Sequence, residues 1–212
     1  MRWDVFCRVI DNHGDLGVCW RLSTALAAQG VQVSLWADDA RALAWMAPSG
    51  APGVVVRPWD AATRVTEPTQ VGDVVIEAFG CNPPAAFVQT MAARWPAPVW
   101  INLEYLSAES FVERSHGLPS PQPCGLMKWF FYPGFTSRTG GLLREQGLGE
   151  AMALFDGDAW LGAHGWARAP GERVISLFGY GQPDLADWLG LFARQPTLLL
   201  AAPGVLQQQL RT

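Results

Sequence analysis

The chain has 212 residues, of which 50% are apolar and 16% charged, so it can bury a core and is not a disordered tail. Its 15 lysines and arginines against 19 aspartates and glutamates give a net charge of −4, and Lys128 is the sole lysine. No basic stripe is available to track a phosphate backbone, which argues against direct nucleic-acid binding.

The start, Met1-Arg2-Trp3-Asp4-Val5-Phe6, lacks the basic segment and continuous apolar run of an export signal. The longest apolar stretch, 198–206, is interrupted by Pro203 and Gly204 and is too short to cross a bilayer as a helix. These features predict a soluble, cytoplasmic protein with no membrane segment. Cys7, Cys19, Cys81 and Cys124 form no CxxC and have no neighbouring histidine pair, so reduced and mostly buried thiols are expected rather than disulfides or metal ligands.

In chain order, residues 3–10 read as a buried strand, 11–17 as a glycine-punctuated turn, and the stretch to Gly30 as a helix with apolar spacing at Val18, Leu22, Ala25 and Leu26. Alternation at Val31, Val33 and Leu35 predicts the next strand, followed by a short helix over 40–46 and strands at 54–57 and 73–78. A helix entered through Pro83-Pro84 carries Phe87, Met91 and Trp95, and a strand over 99–103 leads into a short capped helix. From Arg114 the pattern is loop-like, with a strand near 128–132 inside the aromatic run Trp129-Phe130-Phe131-Tyr132, and then a helical stretch over 142–146. A weakly patterned region, 147–171, precedes a second unit: strand 173–178, helix 184–194 and strand 197–202. This alternation predicts an α/β fold with parallel strands and helices on both faces. One βαβ unit cannot cover both faces of a sheet, and the sequence reaches Thr212 where a further helix is expected, so the second domain is expected to be incomplete.

In such folds ligands bind beyond the carboxyl ends of the strands, with the turn after the first strand favoured. That turn here contains Asp11 and Asp15, four residues apart, beside Gly14 and Gly17. The two acids fit several roles: helix cap and turn acceptor, metal ligands, general acid and base, or a grip for a guanidinium, whose paired N–H donors match carboxylate geometry. No third metal ligand is evident, and two acids repel phosphate, so metal and phosphate binding are the weaker readings. Phe178 and Tyr180 end the strand that opens the second unit, where they fit either packing and a surface turn or a stacking platform for a planar base. Glu104, Glu109 and His116 also lie near strand ends, and spacing assigns them no role.

Several blocks in order resemble one family. They include Asp11-Asn12-His13-Gly14-Asp15-Leu16-Gly17-Val18-Cys19-Trp20-Arg21-Leu22, Glu77-Ala78-Phe79-Gly80-Cys81, Ile101-Asn102-Leu103-Glu104-Tyr105, His116-Gly117-Leu118-Pro119-Ser120, Thr139-Gly140-Gly141-Leu142-Leu143-Arg144-Glu145 and Ser176-Leu177-Phe178-Gly179-Tyr180. The chain resembles the EarP-type protein-arginine rhamnosyltransferases. The resemblance implies a GT-B glycosyltransferase with two facing Rossmann-like domains: an acceptor-binding domain over 1–150, a linker and connecting helix over 151–171, and the first βαβ portion of a nucleotide-sugar-binding domain over 172–212. It further implies inverting transfer of L-rhamnose from dTDP-β-L-rhamnose to an arginine of translation elongation factor P, without a metal or other cofactor. On that resemblance Asp15 is the general base and Asp11 its partner in holding the guanidinium. Asn12, Gly14 and Gly17 contact substrate, and Phe178 and Tyr180 lie beside the donor. His13 stands where the family has an aromatic such as Phe, and a family glutamate that serves the donor falls after residue 212. The alternative expectation is a chain that binds elongation factor P and transfers nothing.

Overall fold

In the computed structural model, which describes residues 1–10 and 13–211, the chain divides into two compact units, Met1–Gln146 and Gly147–Thr212. The first is built on a seven-stranded sheet of β1 (Arg2–Cys7), β2 (Gln32–Ala37), β3 (Val54–Pro58), β4 (Val74–Ala78), β5 (Val99–Leu103), β6 (Pro119–Pro121) and β7 (Met127–Phe131). The strand order is β3-β2-β1-β4-β5-β7-β6, parallel throughout except for β6, which runs antiparallel to β7. Its first five strands, in the order 3-2-1-4-5, have the Rossmann-like arrangement, with the order reversing between β1 and β4.

The period-2 alternation of each strand divides the core between two faces. Val5, Cys7, Leu35 and Ile76 point to one face, where they meet Leu16 and Cys19 of α1 (Gly14–Ala28) and Leu43 of α2 (Leu43–Met46). Phe6, Trp36, Val75 and Trp100 point to the other, against Phe87 and Met91 of α3 (Ala85–Ala92) and Trp59 of a 3-10 helix (Trp59–Arg64). A further short helix, α4 (Phe111–Ser115), lies between β5 and β6.

β4 is buried along its whole length and nevertheless carries Glu77, a fully buried acid. Lys128 on β7 donates to Glu77 Oε1 at 2.7 Å and the Trp100 indole donates to Oε2 at 3.2 Å, so the charge is paired across β5. On the neighbouring strand, Asn102 accepts from the Gly80 amide at 3.0 Å and donates to Glu104 Oε1 at 2.6 Å.

Several elements differ from the sequence-based expectation. β1 ends at Cys7 rather than residue 10 because the next amides leave the sheet for carboxylates: Val9 donates to Asp38 and Ile10 to Asp15, each at 2.9 Å. α1 begins at Gly14, so Asp15 and Gly17 sit in its first turn, with the Gly17 amide bonded to the His13 carbonyl at 2.8 Å. α3 stops at Ala92, and Trp95, which precedes Pro96, is exposed instead of lying on its apolar face. Residues 142–146 form no helix; Gly141 and Gly147 on either side have φ of 72° and 76°, and Arg21 of α1 holds Glu145 through two hydrogen bonds. The prolines of β6 are tolerated because it is an edge strand.

The second unit contains α5 (Leu148–Ala153) and α6 (Gly157–Ala163), where little pattern was evident, then β8 (Arg173–Leu177), α7 (Leu185–Phe192), β9 (Thr197–Ala201) and α8 (Val205–Gln209). Asp156 caps α6 by accepting from the Ala159 amide at 3.0 Å. β8 and β9 pair in parallel as a βαβ unit, and the helix expected near the end of the sequence is α8, which is anchored by buried Leu206.

Candidate active site

The strand order reverses between β1 and β4, where folds of this kind bind ligands beyond the carboxyl ends of the strands, and Asp15 lies on the first turn of α1, the helix that follows β1. The helix N-terminus favours a negative charge at this position. Asp15 is 1% exposed. Its Oδ2 accepts from the Ile10 amide and its Oδ1 from the Tyr105 hydroxyl, both at 2.9 Å. It joins the end of β1 to Tyr105, two residues beyond the end of β5.

Tyr105 is positioned by stacking. Its ring lies 4.0 Å from that of Phe79, with the planes 7° apart. Phe79 follows β4 and has φ of 58°, a left-handed conformation rare for a bulky side chain. The Phe79 amide is fixed to the Leu103 carbonyl at 2.7 Å, so the strained residue is tied to the end of β5. Asn102 secures both sides of the stack through Gly80, which follows Phe79, and Glu104, which precedes Tyr105.

A cavity of about 400 Å³ is lined by His13, Leu16, Trp45 and Arg41, among others. The His13 and Trp45 rings meet edge to face at 5.0 Å. Hydrogen bonds from Arg41 hold the Asp39 carboxyl down to about 2 at the rim. A larger cavity, about 570 Å³, opens at the opposite end of the strands, against Arg2, Gln32 and Arg57. Burial, aided by the Glu77 carboxylate, pushes the Cys81 thiol up to about 12.

The sequence-predicted residues fall in different places. Asp11 and Asn12 lie outside the described residues. Gly14 is exposed at the start of α1, whereas Gly17 faces α2, where an added Cβ would lie 3.3 Å from the Met46 methyl. Phe178 and Tyr180 follow β8 in the second unit and are 70% and 60% exposed. There the Gln182 amide donates to Gln209 of α8 at 2.9 Å, fixing the turn that carries them. Among the described residues, no three His, Cys, Asp or Glu side chains converge as a metal site would require. Within the aromatic run at the end of β7, Phe131 packs into the core and against His116, while Tyr132, just after the strand, meets Phe111 edge to face. Sequence reasoning missed Phe79 and Tyr105 as site residues, although both lie in quoted motifs at strand ends.

A model of the family described as Elongation-Factor P (EF-P) rhamnosyltransferase EarP matches residues 3–212. A protein-arginine rhamnosyltransferase of Pseudomonas putida is 48% identical over 221 residues, which cover 95% of this chain and 57% of that protein. Its counterpart in Pseudomonas aeruginosa is 47% identical over 218 residues, with the same two coverages, 95% and 57%. A solved structure described as the structural basis for EarP-mediated arginine glycosylation of translation elongation factor EF-P aligns with a TM-score of 0.53 at 31% identity, covering 99% of this chain and 52% of that one. The chain thus spans little more than half the length of the curated relatives it matches. No helix among the described residues is long and apolar enough to cross a membrane.

Proposed function

Because this chain belongs to the EarP family of elongation factor P rhamnosyltransferases, we propose that it serves the transfer of L-rhamnose from dTDP-β-L-rhamnose to an arginine side chain of elongation factor P. The observation that carries this reading is the buried Asp15 carboxylate near the strand-order reversal, which accepts from the Ile10 amide and the Tyr105 hydroxyl. In this proposal the first unit binds the acceptor protein, and the second, as the start of the other half of a GT-B enzyme, binds the nucleotide sugar. Phe178 and Tyr180 offer exposed rings on which a planar base can stack. The reaction uses no metal, and its acceptor, a translation factor, places it in the cytoplasm.

An arginine is a poor nucleophile because its guanidinium stays protonated and its lone pairs are delocalised. Asp15 meets both difficulties. A carboxylate presents two oxygens to the paired N–H donors of a guanidinium. Engagement requires local rearrangement, since Asp15 is covered. Once engaged, the carboxylate orients the guanidinium and takes a proton from the attacking nitrogen as the new C–N bond forms. The anomeric C–O bond to the diphosphate breaks on the opposite face, inverting the configuration, and its electron pair leaves with dTDP.

The test is intact-mass analysis of elongation factor P after incubation with dTDP-rhamnose and excess chelator. The 212-residue chain, a form of its relatives' length, and that longer form with Asp15→Asn are compared. The longer form is expected to add one deoxyhexose and the Asn variant to lose the activity while retaining acceptor binding. Elongation factor P left unmodified by the longer form, or modified equally by the Asn variant, would overturn the reading. Addition by the 212-residue chain alone would remove the alternative of a chain that only binds its acceptor.

A further inference from the structure

We infer that Tyr105 is a positioning residue for transfer, holding the Asp15 carboxylate in the orientation in which it receives the arginine proton. The inference rests on the proposed role of Asp15 and adds a residue to which that reading gives no part. Tyr105 lies 90 residues from Asp15 in sequence and reaches it only because β1, β4 and β5 are adjacent.

Three independent constraints converge on its hydroxyl. The ring is stacked on Phe79 at 4.0 Å. The left-handed backbone of Phe79 presents that ring, an arrangement that costs energy and persists where surrounding contacts over-determine it. Asn102, only 2% exposed, bonds the residue after Phe79 and the residue before Tyr105, so the two ring-bearing segments are tied together from within the sheet.

A carboxylate held at one oxygen can rotate about its Cβ–Cγ bond, and a donor at the other oxygen stops that rotation. With Tyr105 donating to Oδ1 and Ile10 to Oδ2, both oxygens are held and the carboxylate plane is fixed. Orientation of this kind acts on the rate of the proton-transfer step rather than on acceptor affinity.

The experiment uses the full-length enzyme with elongation factor P and dTDP-rhamnose, comparing Tyr105→Phe, Asp15→Asn and the double variant. Phe keeps the stacking ring and removes only the donor. The expected result is a kcat about 10- to 100-fold lower for Tyr105→Phe, the range set by loss of one hydrogen bond to a charged group. Its KM for the acceptor should stay within about twofold, while the loss of a donor to a buried carboxylate lowers the melting temperature by a few degrees. On the Asp15→Asn background the same substitution should change the residual rate by less than about twofold, because the two residues act as one unit. Placing 4-aminophenylalanine at position 105, which restores an N–H donor, should recover most of the rate. Wild-type kcat in Tyr105→Phe, a full multiplicative loss on the Asn background, a loss carried by a raised KM, or no recovery with 4-aminophenylalanine overturns the inference and leaves Asp15 as the base. Wild-type turnover by Asp15→Asn refutes the base itself, and this inference with it.

Discussion

Replacing Lys128 with methionine isolates the energetics of the sheet interior. Glu77 is fully buried and Lys128 has a side chain only 11% exposed, with its ammonium 5.1 Å from the centre of the Trp100 ring. Methionine preserves most of the volume but leaves Glu77 with a single donor, the Trp100 indole at 3.2 Å. A buried charge that loses its partner costs about 3–5 kcal/mol. For a unit of this size each kcal/mol lowers the midpoint by about 2–4 °C, so a fall of about 10 °C is expected by circular dichroism, with a matching loss in urea unfolding. The double variant Glu77→Leu with Lys128→Met removes both charges and leaves only the indole N–H without its acceptor. It should therefore recover all but about 1–2 kcal/mol of the loss. A Lys128→Met protein within about 1 kcal/mol of wild type, or a double variant no better than the single, would refute the argument that this pair neutralises a buried acid.

Two further outcomes follow from charges and thiols elsewhere. Hydrogen bonding to Arg21 holds the Glu145 carboxyl down to about 2 from an ordinary value of 4.5. A folded-state value below the unfolded one means the contribution is complete above pH 4.5 and disappears as pH falls toward 2. Thermal unfolding of wild type and Arg21→Ala should thus differ near neutrality, modestly because the pair is partly exposed, and converge across that window; a gap independent of pH would exclude the pair as its source. Cys7, Cys19 and Cys81 are buried and Cys124 is exposed, with burial pushing the Cys81 thiol up to about 12. A thiol-specific reagent at pH 8 should modify one cysteine in the native protein and four after denaturation, and rapid native labelling of Cys81 would contradict its packing.

Much of the architecture was legible because its causes are local. The helix ending near Gly30 and the apolar strands at 74–78 and 99–103 follow from periodicity, and their alternation implies a parallel sheet. The misplaced boundaries have tertiary causes. The 8–10 stretch is apolar enough for a strand, but its amides go to Asp38 and Asp15, whose positions depend on the assembled fold. Residues 142–146 have helical composition, yet Arg21 of α1 holds the segment through Glu145. Of the site, Asp15 stood out because it sits in the turn after the first strand. Tyr105 did not, because no spacing rule relates it to Asp15. The available signal was an acid and a tyrosine directly after a predicted strand, at the edge where ligands bind. Glu77 offered a stronger cue: an acid between Val74-Val75-Ile76 and Ala78 in an apolar strand requires a buried partner, and the chain has a single lysine to supply an ammonium.

The positions of these polar groups suggest why an otherwise apolar sheet contains them. Stability alone is a weak explanation for the Glu77–Lys128 pair, since well-packed apolar residues commonly do as well in such positions. Glu77 and Asn102 are direct cross-strand neighbours, and Lys128 faces Trp100 across the next pair of strands. A one-residue slip of β4, β5 or β7 would carry these groups to the opposite face and leave a buried charge without its partner, so the polar groups penalise any register but the native one. That register puts the end of β4 beside the end of β5, stacks Phe79 on Tyr105 and brings the Tyr105 hydroxyl to Asp15. The charges inside the sheet thereby specify the geometry at its edge, where a displacement of about 1 Å is enough to impair a proton-transfer step.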